Sequence, residues 1–314
     1  MFERFRTQRT DEGTRLQFRE TFLRAADFIL PLFIVSGFRQ CREISGLPGV
    51  NYYSADMLQQ ALAPLIKMGL QSVLLFPVPD SKGIEATYSE HGLVQQASRV
   101  LKIAYPGLEL ISDVCLCAYT VDGHCHIGDN DNTCRLLARI AVSHAAAGVD
   151  IVAPSDMMDG RVWFIRQALT ESGYATTKIM AYAAKYASNF YGPFRAASQC
   201  GLASGADRKT YQMDYCNSNQ ALAEIAADVA EGADQIIVKP ALSYLDIIAR
   251  AKTNCALSLV AYNVSGEYLM LKNAITQGVV APDAVNETLI AMKRAGATRI
   301  ISYFTPEILL NMQI

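Results

Sequence analysis

The chain predicts a single (β/α)8 barrel, a TIM barrel, preceded by an N-terminal arm. Eight short, near-continuous apolar runs recur between residues 27 and 303, the pattern of strands buried on both faces in a parallel sheet. Alanine-rich helical segments lie between them. Several close on glycine and pass straight into the next run, as in Ala147-Gly148-Val149-Asp150 and Glu231-Gly232-Ala233-Asp234. A doubly wound sheet would carry Gly-x-Gly-x-x-Gly after its first strand, and this chain does not.

Residues 1–26 are polar and basic without a clear period. They read as an arm that contacts another subunit, and residues 27–314 as the barrel. The first strand is expected at 27–35, followed by strands at 72–77, 108–115, 149–154, 178–183, 235–239, 256–262 and 298–303. Helical patterns cover 54–67, 132–147, 219–231 and 283–295. In such a barrel the chemistry gathers at the C-terminal strand ends.

The 314 residues carry a net charge of −2, with 18% charged and 51% hydrophobic residues. No basic stripe follows the arm, which argues against a nucleic-acid partner. No apolar run reaches transmembrane length, and Met1 to Gly13 is charged where a signal peptide would be apolar, so a cytoplasmic protein is expected. The eight cysteines are then expected to be reduced.

The run ending in Val238-Lys239-Pro240 places a lysine where an apolar strand opens into the barrel mouth. Partial desolvation there lowers an amine's pKa and supplies the neutral nucleophile a Schiff base requires. A lysine snorkelling to water would account for Lys239 alone. The preceding strand runs into a second lysine, Lys185, and two such amines side by side would depress each other. After the third strand, Cys115, Cys117 and Cys125 have the spacing of three thiolate ligands to zinc with one position open. His124, His126 and Cys134 are candidates for a fourth ligand. Ser155 and Asp156, after the fourth strand, are polar groups where a loop would meet substrate, although capping of the following helix by either would account for them.

From about residue 14 onward these motifs resemble the porphobilinogen synthase (5-aminolevulinate dehydratase) family. The resemblance rests on Asp-Val-Cys-Leu-Cys with Gly-His-Cys, Ala-Pro-Ser-Asp-Met-Met-Asp-Gly-Arg, Lys185 with Phe-Tyr-Gly-Pro-Phe-Arg, Val-Lys-Pro-Ala, Tyr-Leu-Asp-Ile and Val-Ser-Gly-Glu. It implies a barrel whose arm embraces a neighbour, usually in a homo-octamer, and the condensation of two 5-aminolevulinate molecules to porphobilinogen with loss of two waters, in tetrapyrrole and heme biosynthesis. It further implies a Schiff base on Lys239, with Ser265 and Tyr303 holding that substrate's carboxylate, and Lys185 as the second lysine. Arg195, Arg208 and Gln212 would surround the other carboxylate, and Cys115, Cys117 and Cys125 would hold zinc. Glu224 lies near the acidic position of an allosteric magnesium, although Ala223 stands where an arginine is common. Asp122 replaces a usual histidine, His126 a glycine, and the loop after Cys125 is shortened. Two other readings are a Schiff-base class I aldolase on the same barrel and a zinc-binding paralogue that has lost activity.

Overall fold

The structure, a computed structural model, describes residues 2–202 and 206–312. Before the barrel the chain forms two 3-10 turns and one short helix, α1 (Glu12–Gln17), where the sequence shows no period. Asp11 caps α1 by accepting from the Thr14 amide at 2.9 Å. Among the described residues of this segment only Leu23 and Ala25, at its end, pack against the barrel core, while Phe2, Phe5, Phe18 and Phe22 are exposed.

The barrel strands are β1 (Phe28–Val35), β4 (Ser72–Val78), β5 (Glu109–Val114), β6 (Ile151–Pro154), β7 (Lys178–Lys185), β8 (Gln235–Lys239), β9 (Ser258–Asn263) and β10 (Arg299–Ser302). All run parallel in chain order, and β10 returns to β1 through Phe28↔Ile300 and Ile29↔Ile301, closing the cylinder. Each overlaps one of the eight runs read from the sequence. Leu74, Leu75, Ile111, Val152, Ile236 and Ile301 are wholly buried, each worth about 1.5–3 kcal/mol relative to exposure.

Two further strands, β2 (Cys41–Glu43) and β3 (Asn51–Ser54), extend β1 at its C-terminal end, β3 parallel to β1 and β2 antiparallel to β3. The helices α2 (Leu58–Lys67), α3 (Glu85–Tyr88), α4 (Leu93–Ala104), α5 (Asn130–Ala146) and α6 (Arg161–Glu171) precede β7. After it come α7 (Gly192–Ala197), α8 (Asn219–Ala230), α9 (Leu245–Asn254), α10 (Ser265–Thr276), α11 (Ala284–Ala295) and α12 (Thr305–Asn311).

Two ion pairs tie the wall together. Buried Arg161 on α6 forks onto Asp228 of α8 at 3.0 and 2.9 Å, and its Nη2 also donates to the Tyr182 carbonyl at 3.2 Å. At the opposite end of the strands, Arg299 Nη2 donates to Glu109 and Ser72, both at 2.5 Å. At the start of α10, a Cβ on Gly266 would lie 2.4 Å from the Phe190 carbonyl oxygen, so only glycine allows the helix this close to the turn at residues 189–191.

Candidate active site

β7 and β8 finish in register, with Lys185 opposite Lys239. The apolar strand leaves Lys239 only 5% exposed, inside a ring of aromatic faces. Its Nζ lies 4.2 Å from the Tyr262 centroid, 5.1 Å from Tyr182 and from Phe194, and 5.2 Å from Tyr191. Burial, reinforced by the charge of Lys185, lowers the Lys239 pKa to about 7. Lys185 is equally buried but has a polar partner, donating to the Ser155 carbonyl. Asp113, at the end of β5, feels the charge of both lysines. Burial and then Cys115 push its carboxyl up to about 7, and its Oδ1 has no hydrogen-bond partner.

Around Lys239, Tyr191 donates to the carbonyls of Tyr186 at 2.8 Å and Lys239 at 3.2 Å, which fixes the aromatic wall to the strand end. Ser265, the first residue of α10, accepts from the Phe194 amide at 2.9 Å. The hydroxyls of Tyr262 and Tyr303 lie near enough to affect each other's ionisation, yet neither closes a hydrogen bond of good geometry.

Beyond Lys185 the walls are polar. Arg208 Nη2 donates to the carbonyls of Gly123 at 2.7 Å and Cys200 at 2.9 Å, while its Nε has no partner. The Arg195 Nε is likewise unpaired, its guanidinium lying 5.8 Å from the Tyr191 centroid. Gln212 is 3% exposed with neither amide atom paired. Folded chains pair nearly all buried polar groups, so this concentration of free ones marks where a polar ligand would sit.

Beyond β5, the sulfurs of Cys115, Cys117 and Cys125 lie within 4.8 Å of one another, the one group of three candidate metal ligands among the described residues. Tetrahedral zinc with Zn–S near 2.3 Å holds its sulfurs about 3.8 Å apart, so this soft, buried donor set fits zinc with little adjustment. The set also divides its protons unevenly. Contacts with the Cys115 and Cys117 thiols pull Cys125 well below the usual thiol range, and contacts with Cys115, Cys125 and Cys200 push Cys117 up.

The proposed fourth ligands do not join this trio. His124 Nδ1 pairs with the Tyr211 hydroxyl at 3.1 Å, His126 packs against His124 and Tyr211, and the Cys134 thiol donates to the Asp159 carbonyl at 3.4 Å. Cys200 borders the trio instead. All eight cysteines are free. The capping reading of Ser155 and Asp156 is also corrected. α6 starts from Gly160 with no side-chain cap, and Asp156 accepts from the Met158 amide at 2.7 Å, its carboxyl pushed up to about 6 by burial.

Glu224 accepts from Gln220 at 3.4 Å and lines a cavity of about 500 Å³ with Gln212, Asp214 and Asp159. It is not gathered with two other ligand groups among the described residues. Reading the sequence missed Asp113, Tyr262 and Cys200 as parts of the site. Asp113 and Tyr262 stand at or next to strand ends and could have been found from that position, whereas Cys200 follows Cys125 by 75 residues and has no local signal.

A family model described as delta-aminolevulinic acid dehydratase matches residues 2–310. The protein named delta-aminolevulinic acid dehydratase in Bacillus subtilis is 47% identical over 311 residues, covering 96% of this chain and 95% of its own. Its namesake in Synechococcus elongatus is 48% identical over 310 residues, covering 95% of each. Among solved structures, the dehydratase of Toxoplasma gondii in complex with porphobilinogen superposes with a TM-score of 0.95 at 39% identity, covering 99% of this chain and 91% of that one. With a closed parallel barrel and a family match over nearly its whole length, the chain belongs to the delta-aminolevulinic acid dehydratase family of lyases.

Proposed function

We propose that this chain is a porphobilinogen synthase, condensing two molecules of 5-aminolevulinate with loss of two waters. The observation that carries the reading is the juxtaposition at one barrel end of two register-matched buried lysines and three thiols. The neutral amine of Lys239 attacks the ketone of the first substrate and, after loss of water, holds it as an iminium, an electron sink that acidifies the neighbouring carbon. Ser265 and Tyr303 bind that substrate's carboxylate. Lys185 engages the second substrate, whose carboxylate meets Arg195, Arg208 and Gln212. Asp113, facing both lysines with a pKa near 7, is suited to exchange protons with them.

Cys115, Cys117 and Cys125 would hold zinc, which when bound supplies a Lewis acid for the second substrate's carbonyl or amine. The exposed, apolar-studded arm supports a homo-oligomer in which residues 2–26 lie on a neighbouring subunit, and an octamer is the form we propose. A cytoplasmic location accords with the reduced cysteines. No helix among the described residues is long and apolar enough to cross a membrane.

The test is porphobilinogen formation from 5-aminolevulinate by purified protein, with borohydride trapping mapped by peptide analysis. Label on Lys239 and zinc-dependent product support the reading. Label on neither lysine, with no product, leaves a metal-binding relative without this activity. A class I aldolase would use one lysine and has no need of the second amine or the thiol trio.

A further inference from the structure

We propose that Cys200 is a fourth thiolate ligand, closing the Cys115, Cys117 and Cys125 set into a four-sulfur zinc site that substrate must open. This rests on the reading that those three cysteines hold zinc. Cys200 is wholly buried on the segment after α7 and packs into the same cluster, in contact with the Cys117 thiol. It is not within 4.8 Å of all three sulfurs, so completing the tetrahedron takes a small inward shift of residues 198–202, which form no helix or strand beyond α7.

The surroundings suit that shift. The Ser198 hydroxyl donates to the Phe194 carbonyl at 2.8 Å and lies 2.7 Å from the Cys200 sulfur, so a turn of its proton would let it donate to a thiolate, as groups behind metal ligands commonly do. Arg208 holds the Cys200 and Gly123 carbonyls together, tying the Cys200 segment to the loop that carries Cys125. The two backbones are so close that a Cβ on Gly123, whose φ is +73°, would lie 2.7 Å from the Gly201 carbonyl oxygen. Zinc with four thiolates carries a net charge of −2, and the buried guanidinium of Arg208 and ammonium of Lys185 stand nearby to offset it. His124, His126 and Cys134 are all engaged elsewhere, which leaves Cys200 as the remaining soft donor packed against the trio.

The consequence is a self-capped resting site. With Cys200 bound, the zinc is coordinatively closed, as structural zinc sites are, and an incoming substrate amine or carbonyl has to displace the thiolate before it can be polarised.

X-ray absorption on the zinc-loaded, substrate-free protein should report four sulfur neighbours near 2.3 Å, falling to three sulfurs and a lighter atom on adding 5-aminolevulinate. With cobalt(II) in place of zinc, Cys200→Ser should bind one equivalent and lose about one quarter of the sulfur-to-metal charge-transfer intensity. Its spectrum should no longer lose intensity on adding 5-aminolevulinate. Three sulfurs in the substrate-free wild type, or a Cys200→Ser spectrum identical to wild type, would overturn the proposal. Failure of the underlying metal reading looks different: the wild type would take up no stoichiometric cobalt, or Cys125→Ser would bind it unchanged.

Discussion

The two lysines end neighbouring barrel strands yet occupy unlike surroundings. Lys239 is held among four aromatic faces, whereas Lys185 donates to a backbone carbonyl on a side lined by arginines, Gln212 and thiols. On the proposed function, the first arrangement would favour a nucleophile by keeping water away, and the second a receptor by leaving polar groups unmet. A reaction that joins two copies of one substrate needs such asymmetry, because two equal pockets would not determine which molecule is held first.

The largest effect should come from removing either amine. Lys239→Ala should abolish both turnover and borohydride trapping, whereas Lys185→Ala should abolish turnover and still trap 5-aminolevulinate on Lys239. Label appearing chiefly on Lys185 would reverse the assignment. Next in size, replacing both Cys117 and Cys125 by alanine should lower turnover by at least about a hundredfold, and chelators should mimic it reversibly, with zinc but not magnesium restoring activity. Full activity in that double variant would remove the metal from the receptor side.

Arg208→Ala tests the receptor more gently. Losing a charged hydrogen bond to substrate costs about 1.5–3 kcal/mol, so kcat/KM should fall roughly ten- to a hundredfold while trapping on Lys239 persists. The pH dependence should then sharpen the contrast. With a Lys239 pKa of about 7, the trapping rate should climb roughly tenfold per pH unit below that value and level off above it. Lys185→Met removes the neighbouring charge that helps depress Lys239, so its acid limb should move to higher pH; an unmoved limb would mean that burial alone sets the amine. The same depression has a sign for stability. The unfolded lysine binds its proton up to about 10.5, so this group's contribution is least favourable below about 7 and improves as pH rises between the two values. The smallest effect on chemistry is expected from deleting residues 1–26, which should reduce the assembly's size and lower activity only in part. An unchanged sedimentation profile would place the arm's exposed phenylalanines elsewhere.

The barrel was legible because its strands are buried on both faces, and burial writes itself into sequence as unbroken Val, Ile, Leu and Ala. β2 and β3 escaped because Cys41–Glu43 is exposed and Asn51–Ser54 only half-buried, so neither carries an apolar run. Lys239, Lys185 and the cysteine trio were legible for a related reason, since strand ends and short spacings are local features. Cys200 and the aromatic cage were not. Tyr182, Tyr191, Phe194 and Tyr262 come from β7, the following turn, α7 and β9, and only folding brings their faces to one ammonium. Asp156 misled in the opposite direction, because its residue type suits a cap while its position is at the barrel end, against Arg161.

The tight seat of Gly266 makes one mechanical part of two functional ones. Because α10 rests directly on the backbone of Phe190, and Ser265 also receives the Phe194 amide, the helix start cannot shift without dragging the segment that bears Tyr191 and Phe194. If Ser265 binds a carboxylate as proposed, a load on it would be transmitted to the cage around Lys239 through rigid backbone rather than through a chain of side chains. A single methyl at Gly266 would act like grit in a bearing. It would loosen the grip on a lysine it never touches and admit water to an amine whose reactivity depends on being dry.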